Sequence, residues 1–171
     1  MFSGEYQLRI NAMFGIEREI GALLRRKGIT LGAVESATGG LISHRVTNVP
    51  GSSDYFKGSV TAYSNEIKAG VIGVRQESID RYGAVSAQVA EEMAEGGRKL
   101  LTVDICIADT GIAGPGGATP GKPVGLFFLG LSHGGKAYSR QHNFSGNREQ
   151  NKQDAAEVAL EWLKEYLSGL S

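Results

Sequence analysis

Apolar residues recur at helical spacing in three parts of the chain. This spacing predicts amphipathic helices over residues 13–27, after Ser86 as an N-cap, and from Asn147 onward. Gly28 follows the first of them at the position of a C-terminal cap. The apolar positions are Ile16, Ile20, Leu23 and Leu24; Val89, Ala90, Met93, Ala94, Leu100 and Leu101; and Ala156, Leu160, Leu163 and Leu167. Residues 1–12 show no clear pattern and are expected to be a poorly ordered or helical extension.

Shorter apolar runs, bounded by turn residues, predict strands between these helices. The predicted strands are residues 29–35, 60–63, 104–108, 124–131 and 137–144, with short helices from 38 or 39 to about 49 and over 65–70. The last two strands are joined by residues 132–135, which is short enough for a hairpin. Alternating strands and helices favour an α/β fold, a three-layer α/β/α sandwich, and the hairpin makes its mostly parallel sheet a mixed one.

Residues with a hydroxyl group lie at or near the ends of three of the predicted strands, two of them close to glycines. Ser36 follows the first strand and precedes Gly39-Gly40, Tyr63 ends the second strand, and Thr110 precedes a long glycine-rich loop. Ligands of α/β proteins collect beyond the carboxyl ends of parallel strands. These three residues are therefore expected at one rim of the sheet.

The length, charge and apolar segments of the chain limit the kinds of partner that it is expected to bind. The chain has 171 residues, with 18 basic and 18 acidic side chains. It is long enough for one domain, and it lacks the basic stripe that nucleic-acid binding requires. No segment has the length of a membrane span or the pattern of a signal peptide, so a cytoplasmic location is expected. The single Cys106 lies in an apolar run and is interpreted as a core residue.

Four blocks of sequence together resemble the C-terminal domain of the CinA (competence/damage-inducible) family of nicotinamide-nucleotide amidohydrolases. The blocks are residues 35–40, residues 51–53 with 63–68, residues 111–117 with 122–125, and residues 144–148, and the resemblance extends over roughly residues 15–168. The chain departs from the family pattern at Ala37, where cysteine is common, and at Asp109, where a small or apolar residue is expected. Many relatives carry a further N-terminal domain, and this chain is expected to be a stand-alone version.

The resemblance implies a catalytic pair of Ser36 as nucleophile and Lys68 as base. A serine hydroxyl is a weak nucleophile, and a lysine can accept its proton only when the amine is neutral, which requires a lowered pKa. Taken singly, Ser36 could be a helix N-cap and Lys68 a solvated lysine. Tyr63 and Thr110 are also implied, with Tyr63 either orienting the lysine or lining the pocket and Thr110 bonding either the lysine or the leaving amide.

Backbone N–H groups of the turn Thr38-Gly39-Gly40 are candidates for stabilising an oxyanion. Arg148, at the start of the last helix, is a candidate for binding a phosphate, and residues Ser52 and Ser53 are a second candidate. Gly111, Gly114 and Gly116 belong to a loop expected either to close over the substrate or to be a structural turn. This loop lacks the G-x-G-x-x-G spacing of a dinucleotide site, so no cofactor is expected. No His, Cys, Asp or Glu cluster has the spacing of metal ligands, so hydrolysis without a metal is predicted.

The predicted function is hydrolysis of the carboxamide of nicotinamide mononucleotide to the acid mononucleotide and ammonia, through an acyl-enzyme. A non-catalytic nucleotide-binding or regulatory module and an amidohydrolase for another small amide are the alternatives. The predicted partner is a small phosphorylated nucleotide, with no nucleic acid and no membrane. Relatives suggest a homo-oligomer, a dimer or higher assembly.

Overall fold

A five-stranded sheet in the order β2-β1-β3-β4-β5 forms the centre of the computed structural model, which describes residues 15–170. The strands are β1 (Leu31–Glu35), β2 (Phe56–Thr61), β3 (Ile105–Gly111), β4 (Leu126–His133) and β5 (Lys136–Asn143). Strand β1 pairs in parallel with β2 and β3, whereas β4 is antiparallel to both β3 and β5. Four strands thus run in one direction, which confirms the mixed, mostly parallel sheet.

Helices cover both faces of this sheet. They are α1 (Gly15–Lys27), α2 (Leu41–Thr47), α3 (Asn65–Ile67) with a π-helical turn (Lys68–Ile72), α4 (Gln76–Tyr82), α5 (Ala87–Leu100) and α6 (Arg148–Gly169). Helices α1, α2 and α6 pack on the face that carries Leu31, Ala33 and Ile107. The π-helical turn, α4 and α5 pack on the opposite face, against Val34 and Cys106. The three-layer sandwich is therefore confirmed, and Cys106 is a buried core residue.

Several predicted boundaries were wrong. Helix α2 begins at Leu41 rather than at residue 38 or 39, because Gly39 and Gly40 adopt φ angles of 65° and 102° that end the turn before the helix starts. The second strand runs over Phe56–Thr61 instead of 60–63, and β3 continues beyond residue 108 to Gly111. Helix α4 was not predicted. Residues 1–12, and the first two of the predicted helix over 13–27, lie outside the described residues.

The hairpin turn is shorter than expected. It consists of Gly134 and Gly135 alone, with φ angles of 60° and 78°. Two positive φ angles match the twist of a two-residue hairpin loop. Residues 132 and 133 consequently belong to β4. Ser86 accepts a hydrogen bond from the Val89 N–H, so its predicted role as an N-cap is confirmed. Asn147, the predicted start of the last helix, is its N-cap and accepts a hydrogen bond from the Gln150 N–H.

Candidate active site

Ser36 follows the last residue of β1, and its hydroxyl lies beside the amine of Lys68. The distance from Lys68 Nζ to Ser36 Oγ is 2.9 Å. Both residues are buried, with 7% of Ser36 and 2% of Lys68 exposed. Lys68 is the first residue of the π-helical turn, and wide turns of this kind are frequent at functional sites. Residues 32 positions apart in sequence thus form a direct buried contact.

The surroundings of the Lys68 amine suit an uncharged base. Nζ lies 2.8 Å from the carbonyl oxygen of Ala62 and 3.3 Å from that of Tyr63. A neutral amine has two N–H groups and one lone pair, so both hydrogens can be donated to these carbonyls while the lone pair faces the Ser36 hydroxyl. Burial lowers the pKa of Lys68, and the charge of Asp109 opposes this shift.

Asp109 holds the turn that carries Ser36. It is completely buried on β3, one residue beyond Ala108, which pairs with Val34 of β1. Its carboxylate accepts the backbone N–H of Ser36 at 3.0 Å and that of Thr38 at 3.2 Å. The position of the serine along the turn is therefore fixed from the neighbouring strand.

Glu35 performs the same task for the start of α2. The N-cap of this helix, Gly40, has no side chain to satisfy the first N–H groups. The buried Glu35 carboxylate accepts the N–H groups of Gly40, Ile42 and Ser43 at 2.9, 3.0 and 2.9 Å, together with the Ser43 hydroxyl. A negative charge is favourable at a helix N-terminus, so Glu35 replaces the missing cap.

The Thr38 hydroxyl joins these two carboxyl groups. Its oxygen lies 2.7 Å from Glu35 Oε2 and also forms a hydrogen bond with Asp109 Oδ1. A hydroxyl has one hydrogen to donate, so satisfying both contacts requires a proton on a carboxyl group. Burial first, and the charge of Glu35 in addition, raise the pKa of Asp109 to about 6, so Asp109 takes up this proton only as the pH falls toward 6 and is negatively charged above it.

The same contacts correct the predicted oxyanion donors. The N–H groups of Thr38 and Gly40 already donate to Asp109 and Glu35, so they are not available to a substrate. Within residues 15–170, the N–H groups of Ala37 and Gly39 make no hydrogen bond. Of the three predicted donors, only Gly39 therefore keeps a free backbone N–H, and Ala37, which was not among the predicted donors, has one as well.

Tyr63, Thr110 and Arg148 all border the serine and lysine. The Thr110 hydroxyl donates to the carbonyl of Ala84 at 2.8 Å rather than to Lys68. Tyr63 accepts a hydrogen bond from the lysine through its backbone carbonyl, and the residue is 61% exposed. The Arg148 guanidinium donates to the Tyr63 hydroxyl at 3.0 Å and to the Gly114 carbonyl at 2.7 Å. Arg148 thereby ties the start of α6 to the glycine-rich loop.

The remaining predicted residues are divided between this site and other regions. Gly111 lines the cavity beside Ser36, and a side chain there would collide with the Phe127 ring. The Gly114 carbonyl accepts a hydrogen bond from Arg148 at the site, whereas Gly116 is exposed and does not line the cavity beside Ser36. Ser52 and Ser53 precede β2, at the opposite end of the strands from Ser36. The structure therefore does not bring these two serines to the site within one chain.

A cavity of about 180 Å³ opens over the Ser36 hydroxyl. Its walls include Tyr63, Lys68, Thr110, Gly111 and Arg148. Among residues 15–170, no group of three His, Cys, Asp or Glu side chains could hold a metal ion. None of the helices in that range has the length and apolar character needed to cross a membrane.

Comparison with known proteins assigns the chain to a family. The sequence model described as CinA C-terminal domain matches residues 14–167. The chain belongs to this family. A CinA-like protein from Thermotoga neapolitana is 46% identical over 165 residues, which are 96% of this chain and 40% of that protein. A putative competence-damage inducible protein from Halothermothrix orenii is 48% identical over 150 residues, covering 87% of this chain and 36% of the relative. The chain thus spans about two fifths of the length of these CinA relatives.

Solved structures of the CinA superfamily share the fold. A Klebsiella pneumoniae protein superposes with a TM-score of 0.89 at 28% identity, covering 92% of this chain and 99% of the other. The competence/damage inducible protein CihA from Agrobacterium tumefaciens gives a TM-score of 0.87 at 31% identity, with 98% of both chains covered. The sandwich and its strand order are therefore those of the CinA family.

Proposed function

We propose that this chain hydrolyses the carboxamide of nicotinamide mononucleotide, releasing ammonia. The observation that carries the proposal is the 2.9 Å contact between the buried Lys68 amine and the Ser36 hydroxyl. A nucleophile and base within hydrogen-bond reach are the mark of covalent catalysis. The family resemblance contributes the substrate, since the names of the relatives state no reaction.

In the proposed reaction, Ser36 Oγ attacks the carboxamide carbon while its proton passes to the Lys68 lone pair. The carbonyl oxygen becomes an oxyanion, which the N–H group of Ala37, a residue in the wall of the cavity over Ser36, would stabilise. Lys68 then gives its proton to the leaving nitrogen, so that the C–N bond breaks and ammonia departs. Water next attacks the nicotinoyl ester of Ser36, with Lys68 taking the water's proton. Return of that proton to Ser36 Oγ releases the acid mononucleotide.

Tyr63 and Arg148 are proposed to position the substrate. Both residues line the cavity, in which the nicotinamide ring would lie once its amide reaches Ser36. Arg148 carries a positive charge at the end of α6 where the helix dipole is also positive, so a negative charge nearby would stabilise the fold. A phosphorylated substrate provides such a charge.

Replacing Ser36 with alanine tests the proposal. Turnover, measured as ammonia released from nicotinamide mononucleotide, should fall by at least about 1,000-fold, because the bond-forming atom is lost. Substrate affinity should change by less than about 3-fold, since the hydroxyl contributes little to ground-state binding. Retention of a tenth of the wild-type rate by Ser36→Ala would show that the serine is not the nucleophile.

Binding and turnover assays of the wild-type protein distinguish the proposed function from its two alternatives. Binding of the mononucleotide without release of ammonia would favour a non-catalytic nucleotide-binding module. Turnover confined to other small amides would favour an amidohydrolase of different specificity, with the same serine and lysine.

A further inference from the structure

A second, larger cavity lies on the other side of the turn that carries Ser36. Its volume is about 510 Å³, and its walls include Gly39, His44, Arg148, Glu149 and Lys152. Arg148 lines this cavity and the smaller one over Ser36. Arg148, the first residue of α6, is therefore a wall that the two cavities share.

Lys152, in the wall of this cavity, is a cation without a partner among the described residues and therefore suggests that an anion binds there. It is half-buried, and among residues 15–170 it has neither a hydrogen bond nor an ion pair. Lys164 pairs with Glu19 and Lys99 with Glu95, and the lysines that likewise lack a partner in the described range, Lys57 and Lys136, are exposed to water. Partial burial of an ammonium group without a partner is unfavourable, and a bound anion would remove that cost.

The turn opposite Lys152 adds a backbone donor. A β-carbon on Gly39 would be 3.6 Å from Lys152 Nζ, so the amine and this stretch of backbone face each other closely. The Gly39 N–H has no partner within the described residues. An ammonium group and a nearby free N–H, both in the lining of one cavity, are the kind of donors that bind phosphate oxygens.

The charges around the cavity leave it positive. Arg148 and Lys152, one helical turn apart on α6, are opposed by one carboxylate, Glu149, which accepts a hydrogen bond of 3.5 Å from Gln153. On α2, His44 is exposed, and its Nε2 lies 3.2 Å from Asn48 Nδ2. The first turn of α6 adds its own positive potential.

We propose that Lys152 and the Gly39 N–H bind the phosphate group of the substrate in the larger cavity. The amide-bearing ring then occupies the smaller cavity, and the linking ribose passes beneath Arg148. At about 180 Å³ the smaller cavity is below the range of about 300 to 1,000 Å³ typical of ligand sites, so a mononucleotide needs both. This inference rests on the proposed function, and it places the phosphate on Lys152, not on Arg148 alone.

Lys152→Met tests the phosphate site, with Lys164→Met on the same helix as its matched control. With nicotinamide mononucleotide, Lys152→Met should raise KM about 10- to 100-fold, the scale of one charge-assisted hydrogen bond. With the riboside, which lacks the phosphate, KM should change less than about 2-fold. Lys164→Met should leave both substrates unaffected, and Lys152→Arg should recover much of the loss. Equal losses on both substrates would overturn the inference.

A binding measurement keeps this test independent of turnover. Calorimetric titration of the wild-type protein with ribose 5-phosphate should show binding that Lys152→Met abolishes and Lys164→Met retains. Absence of binding to the wild type, or equal binding to both variants, would overturn the phosphate site even if ammonia release were found. If ribose 5-phosphate binds through Lys152 but no ammonia is released, the proposed function fails and the phosphate site stands.

Discussion

At the scale of single residues, the Lys68 amine gives the clearest prediction. Its pKa is lowered by burial, and only the neutral amine can accept the Ser36 proton. The value of kcat/KM should therefore rise with pH up to the pKa of Lys68 and then level off. Lys68→Arg should be nearly as inactive as Lys68→Ala, because a guanidinium stays charged at any working pH.

Lys68→Met is the control for packing, since it restores most of the side-chain volume without an amine. It should be as inactive as Lys68→Ala. Substantial activity in Lys68→Arg would mean that positive charge, and not basicity, is the contribution of this residue.

Asp109 should set the position of that pH profile. Its negative charge raises the pKa of Lys68, so the neutral variant Asp109→Asn should shift the rising limb of kcat/KM to lower pH. A structural role alone would lower the rate without moving the limb. Asp104→Asn is the matched control, because Asp104 accepts the Thr30 N–H and hydroxyl at 2.8 and 2.7 Å at the other end of β3. An unshifted limb in Asp109→Asn would contradict the electrostatic role.

The sequence was informative about which residues meet, and less so about how they are held. Placing Ser36, Tyr63 and Thr110 at one rim needed only the strand ends, and the structure puts them there. The contact between Asp109 and Ser36 depends on the register of β1 against β3, which periodicity does not specify. Asp109 stood out as a departure from the family pattern, and that was the available signal for its role.

At the scale of elements, Gly96 of α5 allows the close packing of this helix against the π-helical turn. A methyl group on Gly96 of α5 would overlap the carbonyl oxygen of Ile72, the last residue of that turn. Gly96→Ala should push the turn away from α5, displacing Lys68 and lowering kcat together with stability, by roughly 1 to 3 kcal/mol for an overpacked contact. Measurement of kcat and of urea unfolding would check both effects.

Gly70→Ala is the control for this prediction. Gly70 lies in the same turn but has no atom within 4 Å of a β-carbon. Its replacement should leave kcat unchanged and keep stability within about 1 kcal/mol, because alanine restricts the unfolded chain without a clash. Similar losses in the two variants would show that the packing of α5 against the turn does not position Lys68.

The elements that were not predicted from the sequence are all too short to show a distinctive apolar pattern. Helix α4 has seven residues, too few to display a repeating apolar face, and only Ser78 and Ile79 are buried in it. The π-helical turn differs from an α-helix by its hydrogen-bond spacing, with no change in apolar pattern over five residues. Longer helices and buried strands were identified because their patterns extend over several turns or a whole strand.

At the scale of the whole molecule, two carboxyl groups should make stability depend on pH in opposite directions. The pKa of Asp109 is raised to about 6, so the folded state holds this proton more tightly than the unfolded state. The stability that Asp109 contributes is present below about pH 4 and lost as pH rises through about 6, a change of roughly 3 kcal/mol. As the pH rises over that interval, the Tm of the wild type should therefore fall relative to the Tm of Asp109→Asn.

Glu95 provides the comparison of opposite sign. Hydrogen bonds from Arg98, Ser132 and Lys99 lower its pKa to about 2, against the cost of burial. Its contribution is present above about pH 4.5 and lost as pH falls toward 2. The Tm advantage of wild type over Glu95→Gln should therefore shrink on acidification, and a parallel pH dependence for the two variants would contradict both assignments.

The parallel pairing of β1 with β3 also has a kinetic consequence. Asp109 and Ser36 are 73 positions apart in sequence, and Arg148 and Tyr63 are 85 apart. Contacts between such distant positions form slowly, because a long loop must close before any of them is gained. A fragment of the chain that ends before Asp109 lacks the carboxylate that holds the backbone of the nucleophile. During refolding, catalytic activity should therefore recover later than the helical signal. Its recovery should coincide with the pairing of the strands that dock last.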